Sequence, residues 1–288
     1  MLIFDFGKNL SIARIGNKNQ FDVHTDVISY DVDLFKSADN VKELLSYLYP
    51  QKDDIEHEVV YISLSGGCGI QYKTFAVALD AFMVNGSRTT KAEQIETILE
   101  VCRNRLSPEY TPCVINVYTT DTDYIMSVGY IPSNYLENIQ TAFESYGVSV
   151  FDIKPLGSFI YQIINKEVTN QIIVSTDNEL MLVNSLGFIG WSKPFDFDSA
   201  RDNELVRNYL VSQSEALYKI DDKIAGTKLI NIDNIHPYLN VEYDGEINSC
   251  VLVALALTKQ QKAELKGGMN DVANKFRLIF NKGKNQGD

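Results

Sequence analysis

The chain has 288 residues, 45% of them hydrophobic and 11% aromatic, enough apolar material for a packed interior and near the size at which one core divides into lobes. Its formal net charge of -12 argues against nucleic acid as the main partner, because phosphate contacts need a basic face. No apolar run approaches the roughly 18 residues of a membrane span, and Met1 leads straight into a short apolar stretch with no basic leader, so a cytosolic chain is expected.

Residues 1 to 15 read as strand, tight turn, strand. Leu2 to Phe4 and Leu10 to Ile15 flank Asp5, Gly7, Lys8 and Asn9, residue types that accept the positive φ of a short hairpin. Backbone N–H groups in such a turn can approach a phosphate while Asp5 holds a magnesium-bound water; the competing reading is an ordinary solvated hairpin. Phe21 to His24 and Val27 to Val32 are two further β-like stretches. Ser37 or Asp39 caps a helix carrying Val41, Leu44, Leu45 and Leu48, which Pro50 stops. Val59 to Leu64 has a buried-strand pattern and ends in Ser65-Gly-Gly-Cys-Gly69, a turn without the Gly-Lys-Ser/Thr of a P-loop; a strand resumes over Ile70 to Leu79.

Thr90 to Glu93 form a capping box before a helix with Ile95, Ile98, Leu99 and Cys102 on one face. Cys113 to Tyr118 and Tyr124 to Val128 read as strands. Ser133 caps a helix bearing Leu136, Ile139, Ala142 and Phe143, and Gly147 closes it. Tyr146 to Ile153 is a strand and Pro155 to Asn165 a helix. Ile172 to Asn184 repeats the strand, turn, strand pattern with Ser175 to Glu179 in its turn, where Asp177 and Glu179 would place negative charge beside a phosphate. Asp202 to Leu217 is a helix and Lys228 to Ile232 a strand. Cys68, Cys102, Cys113 and Cys250 have no ligand spacing with His24, His57 and His236, so structural thiols and no metal are expected. After a hinge at Gly267-Gly268, Met269, Val272, Phe276, Ile279 and Phe280 share one helical stripe beside Lys275, Arg277, Lys282 and Lys284. Such a helix suits a membrane interface or a partner's groove, or else packs on the body by its apolar side.

The Asp5-Phe6-Gly7 hairpin resembles the first phosphate loop of the actin-like superfamily of sugar kinases, chaperones and bacterial actins. Within it, Tyr61-Ile-Ser-Leu-Ser-Gly66 resembles the strand, Leu-Pro-Gly, strand opening of the small inserted subdomain in PilM-type pilus-assembly proteins, with Ser65 in place of proline. Tyr124 to Pro132, a helix, and Tyr146 to Ile153 resemble the return to the first lobe, and Val253-Ala-Leu-Ala-Leu257 the closing segment, with Ala254 in place of glycine. Two departures stand out. The second loop's Asp-Ile-Gly is replaced at Ser175, Thr176 and Asp177, and no Gly-Gly follows Lys228 to Ile232.

The resemblance implies an α/β, actin-like/RNase H-like two-lobed fold with a small inserted α+β subdomain and a reduced second lobe. Its divisions are a first lobe at 1–56, the insertion at 57–148, a return to the first lobe at 149–168, a second lobe at 169–258 and a basic amphipathic tail at 259–288. The implied function is a non-catalytic cytoplasmic scaffold of a type IV pilus or related secretion platform, at the inner face of the cell membrane. It would bind the N-terminal cytoplasmic peptide of an inner-membrane partner between the first lobe and the insertion; oligomerisation and peripheral membrane contact stay open. ATP with magnesium, if held, would sit on Asp5, Gly7, Lys8 and Asn9, weakly and without turnover, since no catalytic base for phosphoryl transfer is recognisable. The alternative is an FtsA-like, membrane-tethered, nucleotide-binding actin homologue of cell division anchored by the tail.

Overall fold

In a computed structural model, which describes residues 1–16, 21–84, 87–88, 91–104, 108–165, 171–192, 199–219 and 227–267, the chain opens with β1 (Leu2–Phe6), β2 (Leu10–Ile15) and β3 (Phe21–Ile28), then α1 (Ala38–Leu48) and β4 (Val59–Leu64). Next come β5 (Gln71–Ala78), the short β6 (Met83–Val84) and β7 (Ser87–Arg88), α2 (Lys91–Asn104), β8 (Tyr110–Thr119), β9 (Asp123–Pro132) and α3 (Ser133–Glu144). The remainder is β10 (Ser149–Pro155), α4 (Leu156–Ile163), β11 (Gln171–Ser175), β12 (Glu179–Asn184), β13 (Phe188–Ser192), α5 (Ala200–Tyr218), β14 (Lys228–Asn231) and α6 (Ser249–Gly267).

The fold is α/β and carries one topology twice. The first sheet has the order β10-β4-β1-β2-β3, in which β1, β2 and β3 form an antiparallel meander and β4 and β10 add in parallel. The second, β13-β12-β11-β14, repeats the meander and the first parallel strand and stops one strand short. Between β4 and β10 the chain makes the antiparallel sheet β5-β9-β8. A full lobe, a reduced copy and an inserted sheet are the actin-like/RNase H-like arrangement that the sequence leads one to expect.

Strand alternation decides the layering. Successive side chains of β1 point to opposite faces: Leu2, Phe4 and Phe6 pack with Val41 and Leu45 of α1 and Ile139 and Phe143 of α3, whereas Ile3 faces α4 and α6. In the second sheet Ile173, Leu180 and Leu182 meet Val206 and Leu210 of α5, while Ile172, Val174, Met181 and Val183 face α4 and α6 from the other side. Two helices thus lie between two sheets, and their composition follows. Cys250 through Leu257 are all buried, because a helix wrapped by apolar neighbours on all sides must itself be apolar all round.

Several local features differ from the sequence reading. β3 is one strand where two were expected, and β13 was not anticipated. Ser37 caps α1, its hydroxyl accepting the Asn40 N–H. Ser133 is instead the first residue of α3, after Pro132, and makes no cap bond. Gly147 ends α3 with φ 73, the left-handed geometry that glycine adopts freely. The first turn needs no such geometry, since the only positive φ angles among the described residues are at His57, Lys219, Gly69 and Gly147; it closes through Gly7 N–H donating to the Asn9 carbonyl at 3.1 Å. α6 runs through Gly267 where a hinge was expected to begin. The capping box at Thr90 and the tail residues Met269, Val272, Phe276, Ile279 and Phe280 lie outside the described residues. Among the described residues no helix is long and apolar enough to cross a membrane.

Candidate functional site

Three turns converge at one end of the two sheets: Gly7–Asn9 after β1, Ser65–Gly69 after β4, and Thr176–Asn178 between β11 and β12. Asp5 shares the face of Ile3, so its carboxylate points into the helix layer and meets the first turn of α6. The Ser249 hydroxyl donates to Asp5 Oδ2, and the positive end of that helix favours a carboxylate there. Asn248 caps the same turn, its Oδ1 accepting the Val251 N–H at 2.9 Å. Ser63 lies opposite Asp5 in the parallel register. Its hydroxyl and Asp5 Oδ1 are both buried and close no hydrogen bond of normal geometry.

Only 1% of Asp5 is exposed. Burial raises its carboxyl to about 6, against the hydrogen bond from Ser249 and the dipole of Ser63, which pull it down. Gly7 and Asn9 are half-buried and Lys8 is exposed. Tyr30 donates to the Gly7 carbonyl at 2.5 Å and lies 3.5 Å from Cys68 Sγ, and that thiol points at the Phe6 carbonyl. Burial pushes the Cys68 thiol up to about 12, so it is an inert packing group rather than a nucleophile.

The third turn brings a residue whose role the sequence does not reveal. Glu179 opens β12 on the face of Met181 and Val183, and it is fully buried. Tyr72 of β5 donates to its Oε1 at 2.9 Å, and the Tyr72 oxygen accepts the Gly157 N–H at 3.3 Å; Oε2 has no partner. Burial raises Glu179 to about 8; Tyr72 and the Gly66 N–H pull it down, and the charge of Asp5 pushes it further up. At neutral pH this residue is mostly a neutral acid, not the exposed negative charge expected beside a phosphate. Thr176 shapes the turn, its Oγ1 accepting the N–H groups of Asn178 and Glu179 at 3.3 and 3.1 Å.

Asn178, 8% exposed, joins all three turns. Its amide is satisfied at both ends when Oδ1 accepts the Lys8 N–H at 3.3 Å and Nδ2 donates to the Asp177 carbonyl at 3.2 Å. The Lys8-facing end also lies 3.4 Å from Ser65 Oγ. Gly66 and Gly67 allow this approach: a Cβ on Gly66 would lie 2.8 Å from the Asn178 backbone carbonyl oxygen, and one on Gly67 2.9 Å from the Lys8-facing end of the Asn178 side-chain amide.

Of Asp5, Gly7, Lys8 and Asn9, the Asp5 carboxylate and the Lys8 backbone N–H face the protein, whereas the Lys8 side chain is exposed and Gly7 and Asn9 are half-buried. A nucleotide with magnesium does not fit this arrangement, because the Lys8 N–H is taken by Asn178 and the Asp5 carboxylate is sealed under Ser249. Among the described residues no group of three or more His, Cys, Asp or Glu is placed to hold a metal ion.

A second feature lies along the edge of the first sheet. β10 bulges between Val150 and Asp152, and the bulge turns out Phe151, 47% exposed, with its ring 5.0 Å from that of Tyr61. β8 of the inserted sheet runs nearby. Cys113 of β8 sits 3.7 Å from Ser158 and feels the charges of Lys154 and Asp152 on β10.

By its strand order this is a two-lobed α/β protein of actin-like topology. No family model matches the chain, and no curated protein matches it. Solved structures similar to it include the cytoplasmic domain of EpsL, an inner-membrane component of the type II secretion system of Vibrio cholerae, at 8% identity, covering 91% of this chain and 94% of that one with a TM-score of 0.48. Another is a protein of actin-like ATPase fold and unknown function from Bacteroides thetaiotaomicron, at 10% identity, covering 80% and 89% with a TM-score of 0.47. Likenesses at this level assign no activity and no partner, and the roles of residues rest on the geometry above.

Proposed function

We propose that this chain is a non-catalytic, PilM-type scaffold of a type IV pilus or related secretion platform, working at the cytoplasmic face of the inner membrane. The observation that carries the reading is the sealed turn cluster. The groups that would have to greet a triphosphate are bonded to one another, so the shape of the fold is kept without exposed transfer machinery. The partner is the short N-terminal cytoplasmic peptide of an inner-membrane assembly protein. It would lie along the outer edge of β10, where the exposed Phe151 offers an apolar anchor and the strand edge offers backbone pairing. The basic residues around Met269 to Phe280 would add contact with anionic lipid.

The test uses the full chain with synthetic N-terminal peptides of pilus and type II secretion inner-membrane proteins, followed by fluorescence anisotropy, alongside phosphate release from magnesium-ATP. The expected result is saturable binding to one peptide class, weakened at least tenfold by Phe151→Asp, with no phosphate released. ATP turnover, or no peptide bound by the folded chain, would overturn the reading.

A further inference from the structure

We propose that Asn178 is a built-in plug that occupies the anion cradle between the first and second turns and holds it closed to phosphate groups. This rests on reading the Gly7–Asn9 turn as a cradle. It goes beyond the scaffold assignment by naming the residue responsible for the closed state and the ligand class excluded, a phosphate or pyrophosphate anion.

The argument begins with what such a cradle supplies. A turn that binds phosphate offers free backbone N–H groups, small residues for close approach and a nearby hydroxyl. Here the Lys8 N–H, the small residues Gly66 and Gly67 and the Ser65 hydroxyl supply them, and Asn178 lies against each. Its Oδ1 accepts the Lys8 N–H at 3.3 Å in the way a phosphate oxygen would, with Ser65 Oγ 3.4 Å from the same end. Gly66 and Gly67, which could have admitted a ligand, admit Asn178 instead, at distances of 2.8 and 2.9 Å from where their Cβ atoms would be.

The side chain is nearly buried and tied at its other end to the Asp177 carbonyl at 3.2 Å. Thr176 holds its backbone in place. An amide suits this position because it supplies an acceptor toward Lys8 without a full charge near Asp5 and Glu179, where a charged group would carry a large desolvation penalty. A plug made of the protein's own side chain has a high effective concentration, so a weakly held anion cannot displace it.

The experiment is calorimetry of inorganic pyrophosphate, and separately of magnesium-ATP, on the full chain and on Asn178→Ala and Asn178→Ser. The wild type is expected to bind neither ligand at millimolar concentration. Asn178→Ala and Asn178→Ser should bind pyrophosphate at least tenfold more tightly. Hydrogen exchange at the Lys8 amide is the second measurement, and it should speed up at least tenfold in the Ala and Ser variants without ligand. Equal anion affinity across wild type and folded variants, or unchanged Lys8 exchange, overturns the proposal. Should Asn178→Ala fail to fold, Asn178→Ser and its exchange rate decide. Peptide binding by the same preparations reports on the scaffold reading separately.

Discussion

Glu179 and Tyr72 show how far a single buried pair reaches. An unfolded glutamate titrates near 4.5 and this one near 8. Below pH 4.5 both states carry the proton and nothing is lost. Between about 4.5 and 8 the folded chain keeps a proton that the unfolded chain has released, so this residue makes stability fall as pH rises; above 8 the loss is constant. Asp5, raised from 3.8 to about 6, acts with the same sign in its own lower window. Glu179→Gln removes the titration and keeps an acceptor for Tyr72. Urea unfolding of the two chains should therefore diverge in favour of the variant from pH 5 to pH 8, each tenfold in proton affinity being worth about 1.4 kcal/mol. Parallel stability curves would show that Glu179 is not held protonated. Tyr72→Phe takes away the hydroxyl that serves both Glu179 and the Gly157 N–H, and should destabilise by about 1–3 kcal/mol. Combined with Glu179→Met, which removes the acceptor altogether, the losses should not add, as for groups sharing one hydrogen bond; strict additivity in that double-mutant cycle would refute the bridge.

At the scale of elements, what the sequence showed and what it hid have separate physical reasons. The hairpins of β1–β2 and β11–β12 were legible because strand alternation and turn residues are local. The α1 stop at Pro50 and the Gly147 end of α3 were legible for the same reason. β13 was hidden because Gly190 interrupts its apolar pattern, and glycine is weak in strands. The structure explains that glycine: a Cβ at 190 would lie 2.6 Å from the ring of Tyr72, which packs on Phe188 from the inserted sheet. Gly190→Ala should therefore force β5 and β13 apart, and is expected to lower stability by about 1–3 kcal/mol, measured by thermal melting. The Tyr72→Ala background, which removes the nearer of the two obstructing rings and leaves Phe188 at 2.9 Å, should relieve part of that penalty. The role of Glu179 was equally invisible, since its donor Tyr72 lies 107 residues away in the chain. In α6, Leu252 is fully buried between the two sheets, and Leu252→Ala should cost about 2–5 kcal/mol in urea unfolding, a loss that an exposed position would not show.

Over the whole molecule, the inserted sheet is bonded to the second lobe rather than hanging from the first. Thr74 Oγ1 donates to the Phe188 carbonyl at 3.2 Å and Ser127 donates to the same oxygen. Asn116 donates to the Leu186 carbonyl at 3.0 Å, and Ser192 of β13 returns a bond to the Ile70 carbonyl. With Tyr72 reaching Glu179, these contacts tie segments that are distant in the chain into one mechanical unit, and they are buried or half-buried, where a lost partner leaves an unsatisfied polar group. Such a unit should open as one body, so the amides of β5 and β13 should share one exchange rate governed by the same opening. Thr74→Val together with Ser127→Ala strips both donors from the Phe188 carbonyl and should accelerate exchange in β5 and β13 to the same extent, leaving β1 and β4 unchanged. If β13 kept its protection while β5 lost it, the inserted sheet would be an independent flap.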